Sequence, residues 1–465
     1  MKKKFMLTML LLALVVGLHP NSMTKAETTS TQGEQFEQGK YDLKADFPFG
    51  QNWNRNSPYA GTETTKVKWE YKLYHENGVN QLFYTQPTIG NDGTIYIGNS
   101  NRKLYAFNKD GSVKWIKDGV TNLYTSPVVA ADGTIYVAGG KLTALNPDGS
   151  VKWQSKDTGY YDTPILDSEG TVYVRYAGNK RTIDAYNSDG SKKWVSSELS
   201  KNANANGTNS MIISKDGTIY TLASSGEYYH LYAHDKNGKE LWNKKLNGNG
   251  GNPGFSLGLN SELYINGGSI LYVFDKDGNP IKQWRNDDLL SRSAPTIYSK
   301  DGTIYISKTG GVYAYNPDYT LKWKYSTGTQ VIKNSPVIDK NGVVYVTTSR
   351  ELHAINPDGS LKWKMASSTL KLHGGTSNNS ISIDKDGTLY LLGQGSNNSV
   401  DSIYYSLIAI GDSYTDTVCT KDSTYMEVLK SLEAKSKTAK LTDEEKKEAR
   451  DILKKLSDDL DKTDK

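Results

Sequence analysis

The feature that most constrains this sequence is a motif that recurs eight times. It reads Asp/Asn/Glu-Gly-x-aliphatic-Tyr, and Asn260 to Tyr264 is a degenerate copy of it. The seven regular copies end at Tyr96, Tyr136, Tyr173, Tyr220, Tyr305, Tyr345 and Tyr390. A fixed period is the signature of a repeat protein, so it predicts one repeated unit rather than several unrelated domains.

Two further segments recur in phase with this motif. One resembles Leu-x-Ala-aromatic-Asn and begins at Leu104, Leu142, Ile183, Leu231, Leu271, Val312, Leu352 and Leu407. The other ends in tryptophan, at Trp115, Trp153, Trp194, Trp242, Trp284, Trp323 and Trp363. Successive tryptophans lie 38 to 48 residues apart, which matches the four-stranded blade of a β-propeller.

The eighth unit, which ends near Ile410, has no tryptophan, but an extra Lys-Val-Lys-Trp segment ending at Trp69 precedes the first unit. We expect this N-terminal strand to complete the last blade, because such pairing leaves no open sheet edge. The predicted fold is therefore all-β, an eight-bladed β-propeller of four-stranded blades over residues 66–412, closed by an N-terminal strand.

The strand pattern also predicts which side chains meet between blades. Asp-Gly pairs supply the positive φ angles of tight hairpin turns. Alternation along a strand places Ile95 and Ile97 against one neighbouring blade, and Thr94 and Tyr96 against the other. We expect the tryptophans to cover the gaps between outer strands.

The N-terminal residues resemble a targeting signal. Three lysines precede the apolar run Phe5 to Leu18, and small residues at Thr24 and Ala26 fit a cleavage site. We predict a removed secretory signal over 1–26 and a lead-in over 27–65, with an uncleaved membrane anchor as the alternative. The protein is then expected to be secreted and without stable membrane insertion after cleavage. A loose association with the cell wall is compatible with this.

The C-terminal residues 413–465 change to charged, helix-favouring sequence. Met426, Leu429 and Leu432 fall on one helical stripe, and Thr442 with Glu445 forms a capping box for a second helix. The pattern predicts a helical hairpin tail. Its apolar stripe requires a covering surface, which is the propeller, a partner protein or a second copy of this chain.

The unit "DGTIYIGNSNRKLYAFNKDGSVKW" (Asp92 to Trp115) resembles the PQQ-like, quinoprotein-type β-propeller repeat, and the resemblance extends over about residues 50 to 412. The segment from Asn52 to Trp69 is similar to the lead-in of secreted, non-enzymatic PQQ-like propeller proteins of bacilli. The repeat also occurs in quinoprotein dehydrogenases and in an outer-membrane assembly scaffold. A fold shared by so many functions does not choose among them.

Several residues argue against catalysis. Cys419 is the single cysteine, so the disulfide of adjacent cysteines found in many quinoprotein enzymes is impossible, and a cysteine-free secreted domain is typical of Gram-positive bacteria. The "DKDG" turns at Asp275 and Asp384 echo a calcium loop without completing its ligand spacing. We predict no enzyme, no catalytic residue, no cofactor and no bound metal.

The candidate ligand site consists of aromatic and cationic residues that precede the innermost strands, at the mouth of the central channel. These residues are Phe83, Tyr84, Tyr124, Tyr160, Tyr161, Arg292, Lys333 and His373. Aromatic rings with a few cations suit sugars or an anionic or peptide ligand, although the same rings also suit the filling of a narrow channel or packing between blades. A second candidate is the "SGEYYH" loop, read as an exposed double tyrosine.

These observations predict a secreted, non-catalytic binding or scaffold protein. Its partner would be an unknown protein or cell-surface macromolecule. Nucleic acid is excluded as the main partner, because the net charge of +5 is spread along the chain. Two alternatives remain open: a carbohydrate or small-ligand binding module at the central channel, and a PQQ-dependent dehydrogenase.

Overall fold

A computed structural model describes most of the repeat region. The described residues are 56–74, 86–120, 125–160, 162–176, 181–199, 211–225, 228–247, 254–266, 270–285, 296–297, 300–332, 335–348, 350–366, 381–396, 403–412, 442 and 447. The predicted signal peptide and nearly all of the predicted helical tail lie outside them. In the described part of the chain, no helix has the length and apolar character needed to cross a membrane.

The described residues form 31 β-strands, of which β1 (Val67–Tyr74) precedes the first blade. Blades 1 to 4 are formed in chain order by β2 (Thr88–Ile89), β3 (Ile95–Gly98), β4 (Leu104–Phe107) and β5 (Val113–Lys117); β6 (Val128–Val129), β7 (Ile135–Ala138), β8 (Leu142–Leu145) and β9 (Val151–Gln154); β10 (Ile165–Leu166), β11 (Val172–Arg175), β12 (Ile183–Tyr186) and β13 (Lys192–Val195); and β14 (Met211–Ile213), β15 (Ile219–Ser225), β16 (Tyr228–His234) and β17 (Glu240–Asn247).

Blades 5 to 8 complete the ring. They are formed by β18 (Gly254–Leu257), β19 (Leu263–Asn266), β20 (Ile270–Phe274) and β21 (Pro280–Arg285); β22 (Thr296–Ile297), β23 (Ile304–Tyr315) and β24 (Leu321–Val331); β25 (Val337–Ile338), β26 (Val344–Thr347), β27 (Glu351–Ile355) and β28 (Leu361–Ala366); and β29 (Ser382–Ile383), β30 (Leu389–Ser396) and β31 (Ile403–Ile410), joined by β1. In blade 6, β23 contains both the second and the third strand segment without a break.

The predicted closure is confirmed. Strand β1 pairs antiparallel with β31, with Val67 opposite Ile410 and Trp69 opposite Ala409, so strands from both ends of the repeat region share blade 8. The protein is an eight-bladed β-propeller of antiparallel sheets. We call the face that carries the turns after the first and third strands of each blade the Asp-Gly face.

Each outermost tryptophan joins its blade to the next. Trp115 Nε1 donates a hydrogen bond to the carbonyl of Pro147, 2.9 Å away, in a turn of blade 2. Its ring lies against Gly149, where an added Cβ would approach the indole to 2.9 Å. Gly149 also has φ of +83°, so glycine is required there for two reasons. The same contact recurs at Trp69, Trp153, Trp194, Trp242 and Trp323.

Blade 5 departs from this pattern. Trp284 lies opposite Leu271, two pairs farther along the strand than the Trp115 to Ala106 pair of blade 1. The following turn carries Tyr319 with φ of +71° in place of glycine. The rings of Trp284 and Tyr319 meet edge to face with centroids 5.0 Å apart. The displaced indole of Trp284 thus packs against the ring of Tyr319, at the position where Trp115 packs against a glycine.

Apolar side chains fill the spaces between blades as the alternation predicts. Ile95 and Ile97 pack with Tyr390 and Leu392 of blade 8, while Tyr96 packs towards blade 2. All of these side chains are buried. The hydrophobic core is therefore a series of layers between adjacent blades, which gives each sheet two buried faces.

Residues 56–65 of the lead-in contact the Asp-Gly face of blades 6 to 8. The amide of Ser57 donates to the carbonyl of Ile338 at 2.7 Å, and the amide of Gly61 donates to Asp339 Oδ2 at 2.9 Å. Trp363 Nε1 donates to the carbonyl of Thr62 at 3.2 Å. Blade 8 has no turn between its third and fourth strands, so Thr62 supplies the carbonyl that such a turn supplies elsewhere.

The repeated tyrosines are buried at the Asp-Gly face, and this makes the fold sensitive to alkali. Burial raises the pKa of Tyr96 and of Tyr136 to about 12, and the charge of a nearby aspartate adds to the effect. An unfolded tyrosine titrates near 10. The native state therefore retains protons that the unfolded chain loses, so this stabilisation is complete below pH 10 and is lost as pH rises through 12.

We expect the free energy of unfolding to be flat up to pH 9 and to fall above pH 10 by about 1.4 kcal/mol per pH unit for each such tyrosine. Urea unfolding followed by tryptophan fluorescence between pH 8 and 11.5 measures this. A Tyr96→Phe/Tyr136→Phe variant should show a shallower decline than the wild type. An equal slope in both proteins would contradict the assignment to these residues.

Candidate functional site

Of the eight residues predicted to line the channel mouth, the structure describes Tyr160. The other seven, which lie outside the described residues, are Phe83, Tyr84, Tyr124, Tyr161, Arg292, Lys333 and His373. For them the ligand-binding role stays a prediction. The side chain of Tyr160 packs in blade 3.

Tyr160 is completely buried, so its side chain presents no surface to a ligand. Its backbone bridges Gly140 of blade 2 and Tyr176 of blade 3. Its hydroxyl donates to Asp184 Oδ2 at 2.7 Å and shares a second hydrogen bond with the hydroxyl of Tyr186. Burial raises the pKa of Tyr160 well above its usual range, and these two bonds raise it further. At neutral pH Tyr160 is therefore a hydrogen-bond donor and not a base.

Asp184 is the centre of this network, which we call the blade-3 cluster (Asp157, Tyr160, Asp184, Tyr186 and Lys192). Lys192 Nζ lies 2.7 Å from Asp184 Oδ2 and also binds Asp157. Burial acts to lower the pKa of Lys192, but its hydrogen bonds to Asp157 and Asp184 raise it overall. Lys192 therefore stays protonated at neutral pH.

Sequence reasoning missed the blade-3 cluster, although a signal for it exists. In "IDAYN" the second residue is Asp184, where the other copies have uncharged residues or histidine. Those residues are Tyr105, Thr143, Tyr232, Tyr272, Tyr313, His353 and Ile408. A buried carboxylate at a position otherwise occupied by such side chains requires local donors, and Tyr160 and Lys192 provide them.

A second charged pair lies in the same blade. Arg175 Nε is 2.5 Å from Asp162 Oδ2, and both side chains are at most 4% exposed. Arg175 Nη1 also donates to the carbonyl of Leu222 in blade 4, 3.2 Å away. Blade 2 has Thr125 and Ala138 at the equivalent positions, joined by a 2.6 Å hydrogen bond from the threonine hydroxyl to the alanine carbonyl. Blade 3 therefore carries an ion pair where blade 2 carries a neutral contact.

Two of the described histidines, His234 and His353, are packed into the blades. His353 Nδ1 lies 3.0 Å from the hydroxyl of Tyr325, and Nε2 lies 3.3 Å from Glu351 Oε2 outside hydrogen-bonding geometry. His234 is fully buried with both ring nitrogens unpaired among the described residues. Burial lowers the pKa of both imidazoles, so both are neutral at pH 7.

The prediction of an exposed double tyrosine in "SGEYYH" is wrong for Tyr229. Strand β16 begins at Tyr228, and Tyr229 points into the core with 1% of its surface exposed. Tyr228 is half-buried beneath Lys245, whose Nζ lies 3.5 Å from the ring centroid. Alternation along a strand, rather than a loop, separates the two rings.

The aspartates of the "DKDG" turns accept hydrogen bonds from their own turns. Asp384 Oδ1 accepts the amides of Asp386 and Thr388, and its Oδ2 accepts the hydroxyl of Tyr390. Asp275 Oδ1 accepts the amides at positions 277 and 279. Both carboxylates therefore stabilise their turns directly, as aspartate does in many tight turns.

Aliphatic side chains are exposed along the outer wall of the ring. Five occupy one register position, two residues before the outer tryptophan, and are 37% to 55% exposed. This outer row consists of Leu321, Leu361, Val67, Val113 and Val151, in blades 6, 7, 8, 1 and 2. Blades 3 to 5 have Lys192, Glu240 and Pro280 in the same register. The outer row therefore recurs, one residue per blade, in five neighbouring blades.

The repeat region matches a known protein family. The profile of the family described as "Outer membrane protein assembly factor BamB" matches residues 59–156, 119–279 and 266–401. These three matches extend over nearly the whole propeller. The chain belongs to this PQQ-like propeller family. Its membership confirms the resemblance inferred from the repeat unit.

Individual relatives are more distant. The "Uncharacterized protein YxaL" of Bacillus subtilis (strain 168) is 33% identical over 112 residues, which are 23% of this chain and 26% of that protein. The crystal structure of BamB from Moraxella catarrhalis has a TM-score of 0.51 at 14% identity, over 74% of this chain and 99% of that one. The C-terminal WD40 domain of Sif2 has a TM-score of 0.51 at 12% identity, over 76% of this chain and 100% of that one. These structures show a shared fold.

Proposed function

We propose that this BamB-family propeller is a secreted, non-catalytic binding or scaffold protein that engages another protein through its outer wall. The observation that carries the proposal is the outer row. Single exposed aliphatic residues are common on soluble proteins. A row of five at one register, each beside a half-buried tryptophan, is an apolar surface of the kind that binds other proteins.

The chemistry of the described interior supports a non-catalytic role. In the blade-3 cluster, Tyr160 is held protonated and Lys192 is held charged by fixed carboxylates, so neither group is poised to exchange a proton at neutral pH. The family description as an assembly factor also supports a role in contacts between proteins. Secretion rests on the signal predicted over residues 1–26.

The proposal is tested with a variant in which Val113, Val151, Leu321 and Leu361 are replaced by lysine. We expect the wild type to retain one or a few proteins from the medium and envelope fraction of the producing bacterium, and the variant to lose them at least tenfold. Quantitative mass spectrometry of the retained proteins measures this. The substituted side chains are already half exposed, so the melting temperature should change by only a few degrees.

The matched control replaces Val195, Leu241 and Ile281 by lysine. These side chains are 45% to 51% exposed and lie on the outer strands of blades 3 to 5, outside the outer row. This control should retain the same proteins as the wild type. If both variants lose the same proteins, or if neither does, the outer row is not the binding surface.

A further inference from the structure

A small polar pocket lies between blades 3 and 4 on the Asp-Gly face. Its volume is about 110 Å³. Glu169 and Lys193 of blade 3 face Lys236 and Asn237 of blade 4 across it, with Tyr173 among its lining residues. Residues of both charges therefore surround one space.

Blade 8 carries the equivalent acidic residue in an ion pair with the equivalent basic residue of blade 1. Its turn Asp384-Lys-Asp386-Gly has the same pattern as Asp167-Ser-Glu169-Gly in blade 3. In blade 8, Asp386 forms an ion pair across the blade boundary with Lys109 of blade 1, at 2.6 Å. Lys68, which precedes the outer tryptophan, donates to Thr388 Oγ1 at 3.1 Å.

Blade 3 reproduces this arrangement except for the ion pair. Lys193 donates to Thr171 Oγ1 at 3.0 Å, as Lys68 does in blade 8. Lys236 occupies the position of Lys109, and Glu169 that of Asp386. Among the residues that the structure describes, Glu169 and Lys236 form no ion pair. The charges that bind each other between blades 8 and 1 instead line an open pocket between blades 3 and 4.

The carboxylate in the wall of the pocket does not itself require a ligand. Asp167 Oδ2 accepts the hydroxyl of Tyr173 at 2.7 Å, and Oδ1 accepts the amides of Glu169 and Thr171. Its hydrogen bonds are thus made within blade 3. The groups left to face a ligand are one carboxylate, two ammonium groups and one amide.

We propose that this pocket binds a small zwitterion, namely the α-ammonium and α-carboxylate groups of an amino acid. Glu169 binds the ammonium group, while Lys193 and Lys236 bind the carboxylate and Asn237 adds a hydrogen bond. Glu169 repels a simple anion, and the two lysines repel a simple cation. A ligand that carries both charges therefore fits best. The volume of about 110 Å³ is several times the roughly 10–15 Å³ that one water needs, which leaves room for a small amino acid such as glycine or alanine.

Binding is measured by titration calorimetry of the full-length mature protein at pH 7 and low ionic strength. We expect heat from L-alanine and from Nε-acetyl-lysine, which presents the same zwitterion on a tether, and at least tenfold weaker binding of acetate and methylammonium. Binding of both zwitterions indicates a site open to a polymer end, and binding of alanine alone indicates a site for free amino acids. Absence of alanine binding at 20 mM overturns the proposal.

Two variants locate the site. Glu169→Asp gives blade 3 the acid found in blade 8, so we expect it to form the ion pair with Lys236 and to weaken alanine binding at least tenfold. Lys236→Gln removes one cation and should weaken binding similarly. The control Asp301→Glu makes the opposite acid exchange in blade 6 and should leave binding unchanged. Wild-type affinity in both Glu169→Asp and Lys236→Gln, with unchanged melting temperatures, overturns the proposal.

Discussion

A chain that begins at residue 75 should fail to yield a stable monomeric propeller, whereas a chain that begins at residue 56 should remain folded. The shorter chain lacks β1, which pairs with β31 from Val67 opposite Ile410 to Tyr74 opposite Tyr404. Without β1, blade 8 is left with three strands and an unpaired edge. Such an edge pairs readily with other chains.

The lost strand also carries two contacts to neighbouring elements. Trp69 Nε1 donates to the carbonyl of Lys109 in blade 1 at 2.7 Å, and its ring lies where a Cβ on Gly111 would approach to 2.6 Å. Leu73 packs in the layer between blades 8 and 1. Truncation of a fully buried tryptophan costs about 3–5 kcal/mol. Trp69 is partly buried, but its loss adds to the loss of Leu73 and of the pairing with β31, so removal of the whole strand costs more than Trp69→Ala alone.

Size-exclusion chromatography and thermal unfolding measure the result. We expect the chain from residue 75 to elute as aggregate or to melt at least 15 °C below the chain from residue 56. A synthetic peptide of residues 56–74 added during refolding should restore the monomer, because an added strand can complete an open sheet. A monomer with the melting temperature of the control would show that β1 does not close the ring.

The sequence predicts the ring well because its repeats determine both blade number and closure. The turn glycines, the burial of Tyr96 and the opposite orientations of Ile95 and Tyr96 all follow from period-two alternation and from turns that need positive φ. These properties depend on local geometry that each repeat specifies by itself. Such local consistency is what makes a repeat sequence easy to interpret.

The features that the sequence reading missed depend on contacts between repeats. The displacement of Trp284 is compensated by Tyr319 in the next blade, and the pocket beside Glu169 is visible only when Lys236 of the next blade is placed across from it. The partners of Asp184 come from a connecting segment and from another strand. Pairings of this kind need three-dimensional positions, which a single sequence does not supply.

The second large effect concerns the ion pair of Arg175 and Asp162. We expect Arg175→Ala alone to destabilise the protein by about 3–5 kcal/mol, because it removes the guanidinium that lies against the buried Asp162 carboxylate. Asp162→Thr alone should cost a similar amount by leaving the guanidinium unpaired. Burial of a charge is costly unless the opposite charge is present.

The double variant Asp162→Thr/Arg175→Ala separates the cost of one buried charge that has lost its ion-pair partner from the net contribution of the ion pair to stability. It gives blade 3 the residues of blade 2, where Thr125 donates to the carbonyl of Ala138 at 2.6 Å. The new threonine can form the same bond, so we expect stability within about 1 kcal/mol of the wild type. Replacement of a buried ion pair by a well-packed neutral contact is often neutral or stabilising.

Urea unfolding of the wild type, the two single variants and the double variant gives the coupling energy between the two side chains. A double variant close to the wild type would show that the fold does not need the charges, even though each charge depends on the other. The ion pair would then distinguish blade 3 from blade 2 without being needed for folding. Asp162 precedes the innermost strand of blade 3, where the ligand-binding residues are predicted. A double variant as unstable as the sum of the single variants would instead show that blade 3 cannot adopt the blade 2 contact, and that the ion pair is required for folding.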